Sequence, residues 1–216
     1  MRQRDGRVLP VIGRAAVLAL SFLMAPVAWS QSQDSKWTFG ARVGLALPTE
    51  DLNGFSGTKP DTGILVNVDL MYKASPTLDI GGSVEYQNSK MPSISGPGTG
   101  GGAFGESTIT VLTLMAVGQY RFNRSAKTSP YAVAGIGLNI NWMGDDQAGN
   151  TFDVDPSLAL KIGFGADFAV SKSTVLNLEA GYKINSSSVT RFPRTGSAQS
   201  HDFEMSTLYL LGGVRF

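Results

Sequence analysis

The final nine residues, Leu208-Tyr-Leu-Leu-Gly-Gly-Val-Arg-Phe216, contain the clearest structural signal of the chain. Side chains alternate between the two faces of a β-strand, so a pattern that repeats every second residue predicts a strand. Here the positions between the apolar ones include Tyr209, Gly213 and Arg215. The alternation continues to an aromatic residue at the very end, so a strand is predicted up to the last position. Its apolar face consists of Leu208, Leu210, Gly212, Val214 and Phe216.

Seven other segments alternate in the same way, and no stretch has a convincing helical period with a cap. Together with the last segment they cover residues 37–47, 63–73, 78–88, 107–122, 130–142, 158–170, 174–185 and 203–216. Most of them have the length of about 9–11 residues that a tilted strand needs to cross a bilayer. The sequence therefore predicts an all-β protein with eight strands.

The connections between these segments alternate strictly between short and long. The short ones are residues 74–77, 123–129 and 171–173, and the long ones are about residues 48–62, 89–106, 143–157 and 186–202. Short periplasmic turns that alternate with longer external loops are typical of outer-membrane barrels. The predicted fold is an eight-stranded antiparallel up-and-down transmembrane β-barrel with short periplasmic turns and four longer outer loops.

The two faces of the predicted strands differ in charge. One face is almost free of charge, and the other, which we assign to the lumen, carries Arg42, Asp69, Lys73, Asp79, Glu85, Arg121, Lys161, Asp167, Glu179, Lys183 and Arg215. A soluble lipocalin-like barrel would have the apolar face inside instead. Glycines concentrated on the charged face favour the membrane interpretation, because eight strands leave a crowded lumen.

Aromatic residues of the apolar face favour the membrane interpretation as well. They gather at the strand ends, where outer-membrane barrels have aromatic girdles at the two membrane interfaces. The periplasmic girdle is predicted to contain Trp37, Tyr72, Tyr120, Phe122 and Phe168, and the outer girdle Tyr86, Trp142 and Tyr182.

The N-terminus predicts export. Four arginines within residues 1–14 precede an apolar stretch from Ala15 to Met24, and Ala28-Trp29-Ser30 offers small residues at a cleavage site. We expect residues 1–30 to be a cleaved signal peptide and residues 31–216 to form one outer-membrane β-barrel domain. The absence of cysteine excludes disulfides and thiolate chemistry. A net charge of +1 without a basic cluster gives no electrostatic basis for binding nucleic acid.

Four stretches of the sequence carry a family resemblance. Thr113-Leu-Met-Ala-Val-Gly-Gln-Tyr-Arg-Phe122, followed by a turn and Pro130-Tyr-Ala-Val-Ala-Gly-Ile-Gly-Leu138, resembles the hairpin core of the small Gram-negative outer-membrane β-barrel superfamily. These are the "porin family" barrels of the OmpA, OmpX or OmpW type. Trp37-Thr-Phe-Gly-Ala-Arg-Val-Gly-Leu45 looks like their first strand, and Leu208 to Phe216 like their last.

The resemblance implies location and partners more than function. We expect contact with outer-membrane lipid and lipopolysaccharide, and recognition of the last strand by the barrel-assembly machinery. A monomer is expected as well, because a closed barrel has no sheet edge to pair. Members of the superfamily include passive barrels, adhesins, narrow channels and a few lipid-modifying enzymes, so the fold alone does not specify the activity.

The lumen charges allow two functions. A salt-bridged plug is favoured, because confined charges must pair and eight strands enclose little free space. This interpretation gives a non-enzymatic barrel with a structural or surface-contact role. The alternative is a narrow channel for small or apolar solutes, lined in part by Leu65, Met71, Val111, Met115, Val117 and Leu211.

Two other groups of residues could carry chemistry. His201, the single histidine, lies beside Ser200 and Asp202, and the superfamily contains lipid A deacylases. The motif of those enzymes resembles H-x-S followed by a more distant Glu. The serine position of that motif is not filled here, so an outer-leaflet lipid hydrolase is a remote alternative. The third long loop is acidic, but its spacing does not match a calcium-binding template. We expect no enzymatic activity, no cofactor and no metal.

Overall fold

A computed structural model describes residues 36–50, 59–92, 106–124, 127–145, 149–171, 173–194 and 197–216, without the side chains of Gln199, His201 and Phe203. The predicted signal peptide lies outside these residues and stays a prediction. The strands are β1 (Trp37–Pro48), β2 (Gly63–Lys73), β3 (Leu78–Met91), β4 (Ser107–Arg121), β5 (Thr128–Met143), β6 (Thr151–Val154), β7 (Ser157–Ala169), β8 (Val175–Phe192), β9 (Gln199–Glu204) and β10 (Thr207–Arg215). Within the described ranges, no helix is long and apolar enough to cross a membrane.

Eight of the strands form a closed antiparallel barrel, as predicted. The order is β1-β2-β3-β4-β5-β7-β8-β10, and β10 pairs with both β8 and β1 to close the ring. The last residue takes part in this closure, because the amide of Phe216 donates to the carbonyl oxygen of Phe39 at 2.8 Å. Closure gives the barrel strands hydrogen-bonding neighbours on both sides, which a lipid environment requires.

The strands β6 and β9 were not predicted, and both lie in segments that the sequence assigned at least partly to loops. β8 continues to Phe192, well beyond the predicted end at residue 185. β6 pairs with its outer half from Thr151↔Phe192 onward, and β9 pairs with it around Val189↔His201. We call β6, β9 and the part of β8 from Ser186 to Phe192 the outer ribbon. Ser186-Ser-Ser188 has no apolar alternation, so sequence reasoning ended the strand too early.

A β-bulge separates β6 from β7. The pairing register against β8 shifts by one residue between Val154↔Val189 and Ala159↔Asn185, so an extra residue lies on the β6–β7 side. Pro156 lies in this gap, and proline in a sheet is confined to such places because it has no amide hydrogen to donate. The bulge changes which positions face inward. On β7 the odd-numbered residues from Ser157 to Gly163 face the lumen, whereas on β6 the even-numbered Val154 is buried.

Apolar side chains cover the outside of the barrel. Among the large ones that are exposed are Val43, Leu45, Ile64, Leu114, Ile136, Leu138, Ile162, Phe164, Leu176 and Leu178. The inner positions are crowded, as at Gly44, where an added Cβ would lie 1.8 Å from the carbonyl oxygen of Leu210. The apolar exterior and the packed interior match the predicted assignment of faces.

Candidate functional site

Ten of the eleven charged residues assigned to the lumen are buried in it. They come from seven strands, with each strand contributing from its inward positions: Arg42, Asp69, Asp79, Glu85, Arg121, Lys161, Asp167, Glu179, Lys183 and Arg215. Lys73 shares the inward register but lies at the end of β2, where its side chain is exposed. Together the ten side chains carry five positive and five negative formal charges. We call them the charged layer.

The outer half of the charged layer is arranged around two glutamates. Arg42 donates to both Asp69 and Glu179, and its Nε lies 3.0 Å from Oδ1 of Asn67. Lys161 Nζ lies 2.6 Å from Glu85 Oε1 and 2.9 Å from Glu179 Oε1. Lys183 Nζ is 3.4 Å from Glu85 Oε2. Each of the two glutamates is therefore paired with two cations.

The periplasmic half of the charged layer is arranged around Asp167. Arg121 lies 2.6 Å from Asp167 and 2.5 Å from Asp79. Arg215 lies 3.1 Å from Asp167 and 3.5 Å from Asp69, so it joins the two halves of the layer. Arg124, in the turn after β4, adds a contact of 2.5 Å to Asp79. Sequence reasoning missed Arg124, because a turn residue has no alternation that would assign it to a face.

Two tyrosines donate hydrogen bonds to the charged layer, and sequence reasoning missed both. Tyr131 donates to Glu179 Oε2 at 2.8 Å, accepts from Asn177 at 2.8 Å, and its ring centroid lies 5.0 Å from the guanidinium carbon of Arg215. Tyr209 donates to Glu179 Oε1 at 3.2 Å. The alternation of side chains along β5 and β10 places both tyrosines on the inward face, and this alternation could have assigned them to the lumen.

Polar and then apolar side chains fill the lumen on the outer side of the charged layer. Asn185 donates to Asn141 at 2.8 Å, and Ser157 donates to Asn185 at 2.5 Å. Beyond them a buried apolar cluster, which we call the apolar cap, consists of Met91, Ile109, Val111, Val154, Val189 and Met205. Toward the outside, ion pairs are thus followed by amides and then by the apolar cap. Other buried apolar side chains lie at the level of the charged residues, among them Leu65, Met71, Met115, Val117 and Leu211.

One wall of the lumen carries polar groups that have no hydrogen-bond partner among the residues that the structure describes. On β3 these are the hydroxyls of Ser83 and Ser89 and the amide nitrogen of Gln87, and on β4 both amide atoms of Gln119. Buried polar groups are nearly always hydrogen-bonded to protein or to ordered water. This wall is therefore where water would bind inside the barrel.

Most of the aromatic residues assigned to the girdles lie at or near the ends of their strands, whereas Tyr86 and Tyr182 lie within β3 and β8, which extend beyond them. At the short-turn end the rings of Trp37 and Tyr72 are 5.0 Å apart, and those of Tyr120 and Phe122 are 5.4 Å apart. Phe168, Tyr86 and Trp142 are exposed, and the Tyr182 hydroxyl lies 3.3 Å from Thr49 Oγ1.

The residues of the proposed assembly signal form the outward face of β10. Leu208, Leu210 and Phe216 are exposed, whereas Gly212 and Val214 are partly covered. Recognition by assembly machinery stays a prediction.

The structure describes little of the remaining residues that could carry chemistry. The backbone of His201 pairs opposite Val189, but its side chain lies outside the described part of the chain. Asp146 of the acidic loop lies outside it as well. Among the residues that the structure describes, no group of three or more histidine or acidic side chains is placed to hold a metal ion.

A closed antiparallel barrel with an apolar exterior, aromatic residues at its strand ends and a charged lumen defines an integral outer-membrane β-barrel. The chain belongs to the outer membrane protein beta-barrel domain family, whose model matches residues 15–216. This confirms the family resemblance and the location in the outer membrane. No curated protein sequence matches the chain.

Solved structures of outer-membrane barrels are similar to this chain. OprG from Pseudomonas aeruginosa is 16% identical, with a TM-score of 0.62, covering 83% of this chain and 93% of that one. AlkL, solved in DMPC lipid bilayers, is 18% identical, with a TM-score of 0.54 and coverage of 83% and 88%. Neisserial surface protein A is 18% identical, with a TM-score of 0.52 and coverage of 84% and 96%. At these identities the likeness shows the fold alone.

Proposed function

We propose that this protein is a barrel that neither conducts ions nor catalyses a reaction, and that it has a structural or surface-contact role in the outer membrane. The observation that carries the proposal is the charged layer, in which ten buried side chains of balanced charge fill the lumen. The apolar cap adds a second, largely apolar layer on the outer side of the charged layer. An ion would have to pass both layers.

The energetics of the charged layer oppose conduction. An ion moving through it would have to separate pairs such as Lys161 with Glu179, whose atoms are 2.9 Å apart. Removing one partner of a buried pair typically costs about 3–5 kcal/mol, because the other charge is left buried without compensation. Eight strands enclose only enough space for the side chains themselves.

The outer ribbon supports a surface-contact role. Apart from the exposed Phe192, its described outward positions are mostly polar, with hydroxyl residues along β8 and acidic residues on the neighbouring strands: Ser186, Ser188, Thr190, Asp153, Asp202 and Glu204. Backbone pairing on both sides of β8 holds these side chains in a regular array. A polar β-surface beyond the apolar exterior is suited to contact with lipopolysaccharide sugars or another molecule outside the cell.

Single-channel recording of the refolded protein in a planar bilayer tests the proposal. Folding is verified first by the shift in gel mobility on heating, with unfolded protein as the control. We expect no discrete conductance steps. Regular steps from folded protein would overturn the proposal, because they would require a continuous water path through the charged layer.

The polar wall formed by Ser83, Gln87, Ser89 and Gln119 favours a second candidate, a narrow channel for small solutes. Water bound along that wall would give such a path beside the ion pairs. If steps appear, charge reversal at Lys161 should change their cation-to-anion selectivity, since its ammonium lies within the lumen. Unchanged selectivity would place the current outside the lumen and would contradict this candidate too.

The absence of catalysis needs its own test, because outer-leaflet lipid hydrolysis was the remote alternative. We expect cells that produce the wild-type protein and cells that produce His201→Ala to have the same lipid A, as measured by mass spectrometry. A deacylated lipid A that depends on His201 would contradict the non-enzymatic proposal.

A further inference from the structure

A groove of about 710 Å³ lies in the lipid-facing wall across β2, β3 and β4. Its outward lining is apolar and includes Trp37, Leu70, Gly82, Val84, Leu114 and Ala116. Gly82 and Ala116 pair across β3 and β4, so two of the smallest side chains lie side by side in the groove. An added Cβ at Gly82 would meet nothing closer than 3.7 Å, which leaves the space above it open.

The groove lies in the periplasmic half of the membrane. Gly82 is the fifth residue of β3, counted from the short-turn end. At about 3.3 Å per residue and a tilt near 40°, this places it about 10 Å above that end, within an apolar band about 25 Å tall. Trp37, at the start of β1, borders the groove on the periplasmic side.

Two lysines lie near the periplasmic end of the groove, at the adjoining ends of β1 and β2. Lys36 and Lys73 are neighbours, because the Lys73 amide donates to the Lys36 carbonyl oxygen at 2.7 Å. The Lys36 ammonium turns toward the outer wall and lies 6.0 Å from the ring centroid of Tyr72. Both lysine side chains are exposed, Lys73 because it lies at the end of β2 although it shares the inward register. Within the described part of this rim, the acidic side chains Asp79 and Asp167 are buried and paired with arginines.

We propose that the groove and this rim bind an anionic phospholipid of the periplasmic leaflet, with an acyl chain over Gly82 and Ala116 and the headgroup phosphate beside Lys36 and Lys73. The apolar lining fits a hydrocarbon chain, and the outer membrane surrounds this wall with lipid. The two ammonium groups complement the headgroup. Aromatic residues such as Trp37 and Tyr72 prefer the boundary between the two regions.

Quenching of Trp37 fluorescence by brominated lipids measures this binding directly. Trp29→Phe and Trp142→Phe leave Trp37 as the single tryptophan, because the chain has three. The full chain with these substitutions is reconstituted in phosphatidylcholine vesicles that contain brominated phosphatidylglycerol or brominated phosphatidylcholine. A basic residue at an anionic membrane surface contributes about fivefold in affinity, so we expect phosphatidylglycerol to quench at a several-fold lower mole fraction.

Two variants separate the headgroup from the acyl chain. Lys36→Gln with Lys73→Gln should bring the ratio between the two lipids close to one and leave quenching by phosphatidylcholine unchanged. Gly82→Leu should fill the groove and weaken quenching by both lipids. Ala180→Leu is the matched control, since Ala180 is also outward-facing and exposed but lies on β8, across the barrel. It should leave both curves unchanged.

Three results would overturn the proposal: equal quenching by the two lipids in the parent protein, a preference that survives loss of both lysines, or quenching unaffected by Gly82→Leu. Heat-dependent gel mobility identifies variants that fail to fold. If Gly82→Leu does not fold, Ala116→Val fills the same groove from β4 and should weaken quenching by both lipids. Unchanged quenching in that variant would then overturn the proposal.

Discussion

The charged layer and the apolar cap fill the same lumen by different physical means. In the charged layer, side chains from opposite walls meet in directed contacts, such as Lys161 with Glu85 at 2.6 Å. In the apolar cap, side chains such as Met205 and Ile109 pack without directed bonds. A directed network depends on every partner, because removing one charged group leaves its partner buried without a counter-charge. Apolar packing loses stability in proportion to the volume removed. The two regions should therefore respond very differently to single substitutions.

Breaking the charged layer should have the largest effect. Arg42→Met leaves Asp69 and Glu179 without one of their cations in a buried site, and we expect a loss of about 3–5 kcal/mol in the free energy of unfolding. Urea-dependent unfolding in lipid vesicles measures it. The control is Arg124→Met, which removes a partly exposed arginine at the rim and should cost less than about 1 kcal/mol. Equal losses in the two variants would contradict the idea that burial makes the network sensitive.

Breaking the apolar cap should cost less. Met205 is 1% exposed, and Met205→Ala should reduce the free energy of unfolding by about 2 kcal/mol, the lower end for such truncations. The low value is expected because the cap lies at the open end of the barrel, where neighbours can relax. Met205→Leu keeps most of the volume and should cost less than about 1.5 kcal/mol. If Met205→Leu were as damaging as Met205→Ala, the cap would depend on specific contacts, and the contrast with the charged layer would fail.

A single hydrogen bond within the charged layer gives a finer comparison. Tyr209→Phe removes one bond to Glu179 but leaves that carboxylate with Arg42, Lys161 and Tyr131. A hydrogen bond to a charged group is worth about 1.5 kcal/mol, so a loss near that value is expected in the same unfolding assay. A loss as large as that of Arg42→Met would mean that the network fails as a unit rather than bond by bond.

The smallest effect is expected in the outer ribbon, where a hydrogen bond with Glu50 raises the pKa of Glu204 above its ordinary value of 4.5. A raised pKa means that the folded protein favours the protonated form. The stabilisation is therefore fully present below 4.5 and is lost as the pH rises through the higher value of the folded state. Amide exchange of β9, corrected for the intrinsic pH dependence of exchange, should show looser pairing at neutral pH.

Glu204→Gln provides the control for this pH effect, because an amide can donate to Glu50 at neutral pH without a proton being bound first. Its β9 amides should exchange at corrected rates that hardly change with pH. A pH dependence equal to that of the wild-type protein would show that another group causes the loosening.

Strand patterns predicted the barrel because each membrane-spanning strand meets lipid on one face and a polar lumen on the other. The alternation in residues 63–73 has the same bounds as β2 for this reason. In the outer ribbon, water surrounds much of the surface and the contrast between faces disappears. Ser186 to Ser188 could therefore not be distinguished from a loop, and the bulge at Pro156 was not visible.

The lumen was predictable in composition but not in its connections. The alternation of side chains along each strand placed Arg42 and Glu179 on the inward face. The pairing of these charges, however, depends on the stagger of the strands around the ring. That stagger pairs Arg42 of β1 with Glu179 of β8, which β10 separates in the sheet. The role of Tyr131 depends on the same geometry, because its hydroxyl donates directly to Glu179, which lies two strands away in the sheet.

The pairing of β1 with β10 has a consequence for how the protein is made. Gly40↔Arg215 and the two hydrogen bonds between Phe39 and Phe216 join opposite ends of the barrel sequence. The ring therefore cannot close before β10 has been synthesised, and until then β1 has one edge without its pairing strand. Such long-range closure is slow and exposes an aggregation-prone edge. We therefore expect a chain that lacks β10 to keep an unpaired, aggregation-prone edge on β1.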